Sequence, residues 1–449
     1  FVKMKKVLIP LFLFTIVFTQ DIISSENTRE ITIYKDGFAT LKEPIIWSLK
    51  AGKNITRFDN LSPNIVFESP NLDLEGVQVL SQTMNRNFNS SDTYLKNNIG
   101  SQVEVRLSNG AVNQGKLLDI NGASVAINTN KGLMIFQRAK IDFINLKAND
   151  VQDKFSPEIS WDIFSSQDQT VFAELTYLTS GFSWKPIYKL ELNTNDNSAI
   201  LNVDAEVVNH SNINLLGINI NVVEGELNQV SANRSPSLQM QTRRIANNSN
   251  NSKLGDFYIF NLGNNLNLKS LESVQFPLIP KRSISYEKIY VFSNVERDQK
   301  DEPLDIQISF DNSEENNLNL PLPSGVAYLY ERSIDNKLNF LAKNNISQLY
   351  KGGSASFSAG KAFDIVGKRR ILNYDRQSNV EESTISLQVI NSSAKPIKVK
   401  VIEKIVGDWV VKQSSSMYIK DDASTIYFPL EIGPESSQSV TYTYKKEWK

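Results

Sequence analysis

What most constrains this chain is a two-residue hydrophobic period that returns along most of its length. In Gly181-Phe182-Ser183-Trp184-Lys185-Pro186-Ile187-Tyr188-Lys189-Leu190-Glu191-Leu192, the positions Trp184, Tyr188, Leu190 and Leu192 alternate with Lys185, Lys189 and Glu191. Successive side chains of an extended strand point to opposite faces, so the pattern predicts a half-buried strand. Pro186 has no N–H to give to a ladder and suits the first residues of that strand or an edge. Gly181 marks the turn before it. Leu201, Val203, Ala205 and Val207 repeat the alternation against Asn202, Asp204 and Glu206, and Leu216, Ile218, Ile220 and Val222 repeat it again. The fold class expected is all-β and multidomain, with immunoglobulin-like β-sandwich units and an inserted small SH3/Sm-like barrel.

Taken in order, the chain begins with Lys3, Lys5 and Lys6 ahead of an apolar run over residues 7–18, the layout of a secretory signal. We expect a signal peptide over residues 1–25, with Met4 as its start. The run is too short to span a bilayer, which needs about 20 residues, and the absence of cysteine excludes a lipoprotein anchor. The expectation is an exported protein, periplasmic or extracellular, without a transmembrane span after signal removal; the alternative is an anchor formed by an uncleaved N-terminal segment. Residues 30–82 read as strands too few to close a core, which must pair with a later sheet. Residues 92–147 read as one short helix and five strands separated by turns at Asn109-Gly110, Asn121-Gly122 and Lys131-Gly132, the expected barrel. A β-sandwich is expected over 150–310, with a long polar loop at 231–253, and a C-terminal sandwich over 320–449. Val389-Ile390-Asn391-Ser392-Ser393 mirrors Val207-Val208-Asn209-His210-Ser211, which hints that the two sandwiches are related units.

Composition narrows the chemistry. A net charge of -1 over 449 residues creates no field to hold a polyanion, which discourages nucleic-acid binding. Lys131 and Arg138 could be offered as RNA contacts of an Sm-like barrel, but no basic-aromatic platform accompanies them, so the module reads as one for packing or protein contact. With no cysteine and a single histidine, disulfides, thiolate nucleophiles, cysteine-ligated metals and multi-histidine sites are excluded. His210 and Ser211 are adjacent, yet no nucleophile-elbow pattern surrounds any serine, and His210 reads as an exposed turn residue. Glu191, Glu206 and Glu403 are the carboxylates that could converge as a general acid and base, though charged strand positions usually face solvent. No calcium-loop pattern appears. Arg243-Arg244 reads as solvated, and Trp161, Trp184 and Trp409 as core anchors rather than a sugar platform. The sequons at Asn89 and Asn391 carry no functional argument. The reading is therefore an exported, non-catalytic interaction or structural protein of the envelope, with no catalytic, cofactor-binding or metal residues and no cofactor. Its partner would be an unknown protein or an envelope glycan. The alternative is a carboxylate-dependent hydrolase acting on polysaccharide or peptide.

Several pieces carry a family resemblance when read together. They are Pro157-Glu158-Ile159-Ser160-Trp161, Leu175-Thr176-Tyr177-Leu178, Trp184-Lys185-Pro186-Ile187-Tyr188, Leu322-Pro323-Ser324-Gly325-Val326 with Tyr330, Gly360-Lys361-Ala362-Phe363-Asp364, Glu403 with Gly407-Asp408-Trp409, and Tyr442-Thr443-Tyr444 with Trp448. In order and spacing the chain resembles the bacterial "domain of unknown function 4139" family, whose distant relatives include mucoidy inhibitor A proteins. The resemblance implies a β-rich fold and an envelope or secreted setting, and it brings no catalytic residues. The chain lacks the long coiled-coil insertion of those distant relatives.

Overall fold

The structure, a computed structural model, describes residues 28–85, 91–147, 157–193, 196–225, 251–254, 257–333, 335 and 337–447. The expected signal peptide, Asn89 and residues 231–250 of the expected polar loop, with the Arg243-Arg244 pair, lie outside them; residues 251–253, expected in that loop, belong instead to the strand Asn251–Leu254, which pairs with Phe257–Leu268. Among the described residues there is one helix, Ser91–Asn97, and one 3-10 turn, Arg138–Lys140; the remaining elements are strands in five sheets. The protein is all-β and multidomain, and no helix among the described residues is long and apolar enough to cross a membrane.

The alternation in the sequence becomes alternation in space, except at Leu216, which a register shift beside Gly217 turns outward while Leu215 takes the buried place. Phe182–Asn193 pairs along its whole length with Ser198–Asn209, with Trp184 opposite Val207, Tyr188 opposite Val203 and Leu190 opposite Leu201, all of them buried. On its other side it takes the parallel strand Gly325–Arg332, whose pairing starts at Ile187. Pro186 therefore stands just before the second ladder begins, where its missing N–H costs little. Gly325 sits against it; a Cβ there would lie 2.5 Å from the Pro186 carbonyl oxygen.

One pairing scheme occurs twice. In the first copy, the hairpin Glu30–Tyr34/Phe38–Leu49 lies parallel to Leu215–Glu224 and antiparallel to Gln169–Ser180, which runs on past Gly181 as Phe182–Asn193. Phe182–Asn193 pairs with Ser198–Asn209, which pairs with Ser273–Ser285, and Leu215–Glu224 pairs with Phe257–Leu268. In the second copy, Glu287–Val295/Lys300–Asp311 is the hairpin, Ser354–Gln377 the long bent strand, Val380–Asn391 its neighbour, and Ser436–Glu447 the next. Ile397–Lys404 runs parallel to Glu287–Val295 and pairs with Thr425–Ile432.

The corners match to the atom. Asn209 donates from Nδ2 to the carbonyls of Ile213, Leu268 and Lys269 and accepts from Ser211; Asn391 donates to Lys395, Ile432 and Gly433 and accepts from Ser393. Each asparagine thus ties the turn after its strand to the end of a strand far along the chain. Buried carbonyls that would otherwise lack partners are satisfied in this way.

This duplication corrects the expected division at 310–320. Glu287–Val295 and Lys300–Asp311 belong to the sheet of the C-terminal strands, whereas Gly325–Arg332 and Leu338–Ile346 belong to the sheet of Phe182–Asn193. Residues 50–168 and 312–353 are insertions at the same point of each copy, between hairpin and long strand. From the first insertion, Glu158–Ser165, Gly52–Phe58 and Gln78–Asn85 form a three-stranded sheet over the first core, where Trp161 and Trp47 meet at 5.3 Å. The second core draws Tyr188, Leu190 and Leu201 from one copy and Ile308, Phe310 and Phe357 from the other, and a third lies within the second copy.

Residues 91–147 form a curled half-barrel in the strand order Ile141–Lys147, Gln102–Leu107, Val112–Ile120, Ser124–Thr129, Gly132–Gln137. Its core, around Leu95, Val105, Leu117 and Ile127, is its own. Its two outermost strands do not pair with each other, so the expected barrel is open.

Candidate functional site

Among the described residues, buried charge gathers in the bidentate Arg29–Glu43 pair, at 2.6 Å, and in two larger clusters where chemistry could be sought. The first joins three distant segments. The turn after Glu30–Tyr34 carries Lys35, whose Nζ lies 2.5 Å from Glu224 Oε2 and donates to the carbonyl and hydroxyl oxygens of Ser324 at 2.6 and 2.7 Å. Ser324 in turn donates from its backbone N–H and its hydroxyl to Glu224 Oε1, at 3.0 and 3.1 Å. The Lys35 ammonium also lies 5.3 Å from the Trp184 ring centroid, and the Tyr188 hydroxyl donates to the Pro323 carbonyl at 2.6 Å. A serine beside a lysine suggests an activated nucleophile. Here the lysine Nζ is shared between the Glu224 carboxylate and the Ser324 carbonyl as well as the hydroxyl, and the hydroxyl itself donates to Glu224, so both groups are spent on internal contacts. The arrangement fastens the second insertion to the first copy.

The second cluster lies in the C-terminal copy. Arg369 and Glu403 are fully buried; the guanidinium donates from Nε and Nη2 to Glu403 Oε2 at 3.0 and 2.9 Å, and Tyr442 donates its hydroxyl to the same oxygen at 2.5 Å. Arg369 also donates to the Asp298 carbonyl. Burial holds the Glu403 carboxyl above the usual carboxylate range, against the pull of the Arg369 guanidinium and the Tyr442 hydroxyl. Beside it Glu381 accepts from Tyr374, Arg297 and Tyr444 at 3.1, 3.0 and 3.1 Å. Desolvation works to raise Glu381, but these donors outweigh it and leave the carboxyl below its ordinary value.

The three carboxylates singled out from the sequence are not brought together. Glu206 is held by Lys185 at 2.7 Å and Glu191 by Arg332 at 2.6 Å, both on the partly exposed side of one sheet. Glu191 stands opposite Ile200, six positions from Glu206, so about 20 Å separates them at the rise of a strand. A glycosidase pair needs roughly 5–10 Å. Glu403 lies in another core, and its reading as a solvent-facing residue is wrong: it follows Val399 and Val401 on the inward face.

The other sequence candidates can also be placed. His210 is exposed in the corner turn. Trp161, Trp184 and Trp409 are buried, donating from Nε1 to Gln82, Val223 and Ala423. Arg138 pairs with Asp92, and Lys131 is an exposed turn residue. Asn391 has its side-chain amide committed to three carbonyls in the corner, so its sequon is structural.

No family model, no curated protein and no solved structure matches the chain. Every charged group in the two larger clusters is engaged by a partner of opposite charge or by a tyrosine or serine hydroxyl. Lys35, Glu224, Arg369 and Glu381 were not singled out from the sequence. Arg369 had a usable signal, being in phase with Ile365, Gly367 and Ile371 on one face of its strand.

Proposed function

We propose that this is an exported, non-catalytic protein of the cell envelope that binds other macromolecules through its sheet faces and edges. The carrying observation is the outer face of the seven-stranded sheet. Ile46 and Phe172 stand directly opposite each other on Phe38–Leu49 and Gln169–Ser180, 63% and 62% exposed. Paired apolar side chains held in solvent are the kind of feature that marks an interaction surface. The Tyr330–Phe340 edge-to-face pair on the five-stranded sheet and Leu133 and Ile135 on the outermost strand of the half-barrel add to it. The Lys-rich start and the apolar run over residues 7–18 support export. Membership of the "domain of unknown function 4139" family belongs to the same reading. In its support, Ser324, Trp184 and Tyr188 of the resembling motifs gather in one charge cluster, and Glu403 and Tyr442 in the other.

Fractionation of expressing cells with N-terminal sequencing tests the setting. The expected product is shortened at its N-terminus and found in the envelope or medium. Intact protein confined to the cytoplasm would overturn the reading. Native-gel mobility of the released protein tests the surface: the Ile46→Lys/Phe172→Lys double variant should fold normally yet leave the complexes that the unsubstituted chain forms.

A further inference from the structure

The duplicated scaffold supplies an internal comparison. In the first copy, residues 187–192 of the long strand pair on one side with residues 199–204 and on the other with the parallel strand Gly325–Arg332. Counting from the corner asparagines, their equivalents in the second copy are Arg370, Ile371, Asn373, Tyr374, Asp375 and Arg376, with Leu372 as an extra residue in a bulge. These pair on one side with residues 381–386. On the other side the hairpin strand Lys300–Asp311 ends opposite Arg369, and among the described residues no strand continues the ladder. The Ile371 N–H points to the Gln299 side-chain oxygen at 3.4 Å in place of a strand carbonyl. Leu372 and Tyr374 are exposed beside it, with the Arg297 guanidinium 5.8 Å from the Tyr374 ring.

The first copy also shows what fits such an edge. The docked segment enters through Pro323, Ser324 and Gly325, then alternates, placing Ala327 and Leu329 fully inside while Tyr328 and Tyr330 are half-buried on the other face. Gly325 allows the close approach to Pro186. Open sheet edges are templates for added strands, and main-chain hydrogen bonds give such additions their affinity.

We propose that the edge of residues 370–376 is a strand-addition site, taking an extended segment of another polypeptide in parallel, with a small-residue entry and alternating apolar side chains like residues 323–331. This rests on the binding-protein reading above and gives it a location. The probe is a synthetic peptide with the sequence of residues 322–332, and the readout is backbone hydrogen exchange of the full chain. At peptide about ten times its dissociation constant, exchange at 371–376 should slow about tenfold. A peptide carrying Ala327→Pro, which cannot complete the ladder, should have no effect. No slowing at 371–376, equal slowing with the proline peptide, or slowing confined to 187–192 would each overturn the proposal. Cell fractionation is untouched by any of these results, so failure here and failure of the export reading are separate events.

Discussion

Trp184 and Gly367 occupy the same place in the two copies, each two residues along the long strand from the position opposite its corner asparagine. Where the first copy uses an indole, the second leaves out the side chain. A Cβ on Gly367 would lie 2.7 Å from the Phe292 ring, so the aromatic filling comes from the hairpin, where the first copy has Ile31. Trp184→Ala should lose about 3–5 kcal/mol through transfer and cavity terms, and Gly367→Ala about 1–3 kcal/mol through overpacking. Urea denaturation checks both; an unchanged midpoint for either would contradict the assigned packing. A third expectation concerns alkali. Burial lifts the phenols of Tyr177, Tyr188, Tyr442 and Tyr444 above their usual range and pushes Tyr286 up to about 12. A raised phenol keeps its proton in the folded state while the unfolded chain gives it up. Stability is therefore whole below about pH 10 and falls above it, by up to about 1.4 kcal/mol per pH unit for each such group. Denaturation midpoints at pH 9 and 11 should show the fall. Phenolate absorbance that grew to its full value without unfolding would contradict it.

At the scale of elements, the copies act as controls for each other. Arg369, Glu403, Tyr442, Asn294 and Glu381 of the second copy correspond in register to Pro186, Val222, Ile279, Ile33 and Ala199 of the first, all of them buried and apolar. The scaffold therefore closes without the charged network, whose specific work is to hold the longer 294–300 turn through the Asp298 carbonyl and the Arg297 guanidinium. Glu403→Val alone should cost about 3–5 kcal/mol by stranding a buried guanidinium. Arg369→Leu, Glu403→Val and Tyr442→Ile together should cost far less, as replaced buried ion pairs often do. Thermal melts of the single and triple variants decide this, and a triple variant less stable than the single one would refute it. The half-barrel is separable for a similar reason, since among the described residues its core draws on none outside 95–146. Replacing residues 91–147 with a short Gly/Ser linker should leave a cooperatively melting protein; a wholly unfolded product would count against the insertion scheme.

For the whole molecule, local chemistry was legible in the sequence and distant pairing was not. The alternation around Trp184 and after Leu201 gave strands because one face of each is buried. The Asn-x-Ser echo at 209 and 391 marked the repeat because the corner needs an amide and a hydroxyl at fixed spacing. Nothing local says that Glu30–Tyr34 runs beside Leu215–Glu224, or that Gly325–Arg332 crosses back to Phe182–Asn193, so the division at 310–320 was misplaced. Glu403 was misread because a charge on a strand usually faces water, and the arginine that makes its burial tolerable lies 34 residues away. Ile46 and Phe172 looked like any other strand apolars; only the finished sheet shows them outside. The claim that this chain works through such surfaces is tested most directly by a photo-crosslinking residue at position 172, with a second one at buried Leu175 as the control. Irradiation of living cells should give a discrete adduct from position 172 in the envelope fraction and none from 175. No adduct from 172, or equal labelling from both, would contradict the account.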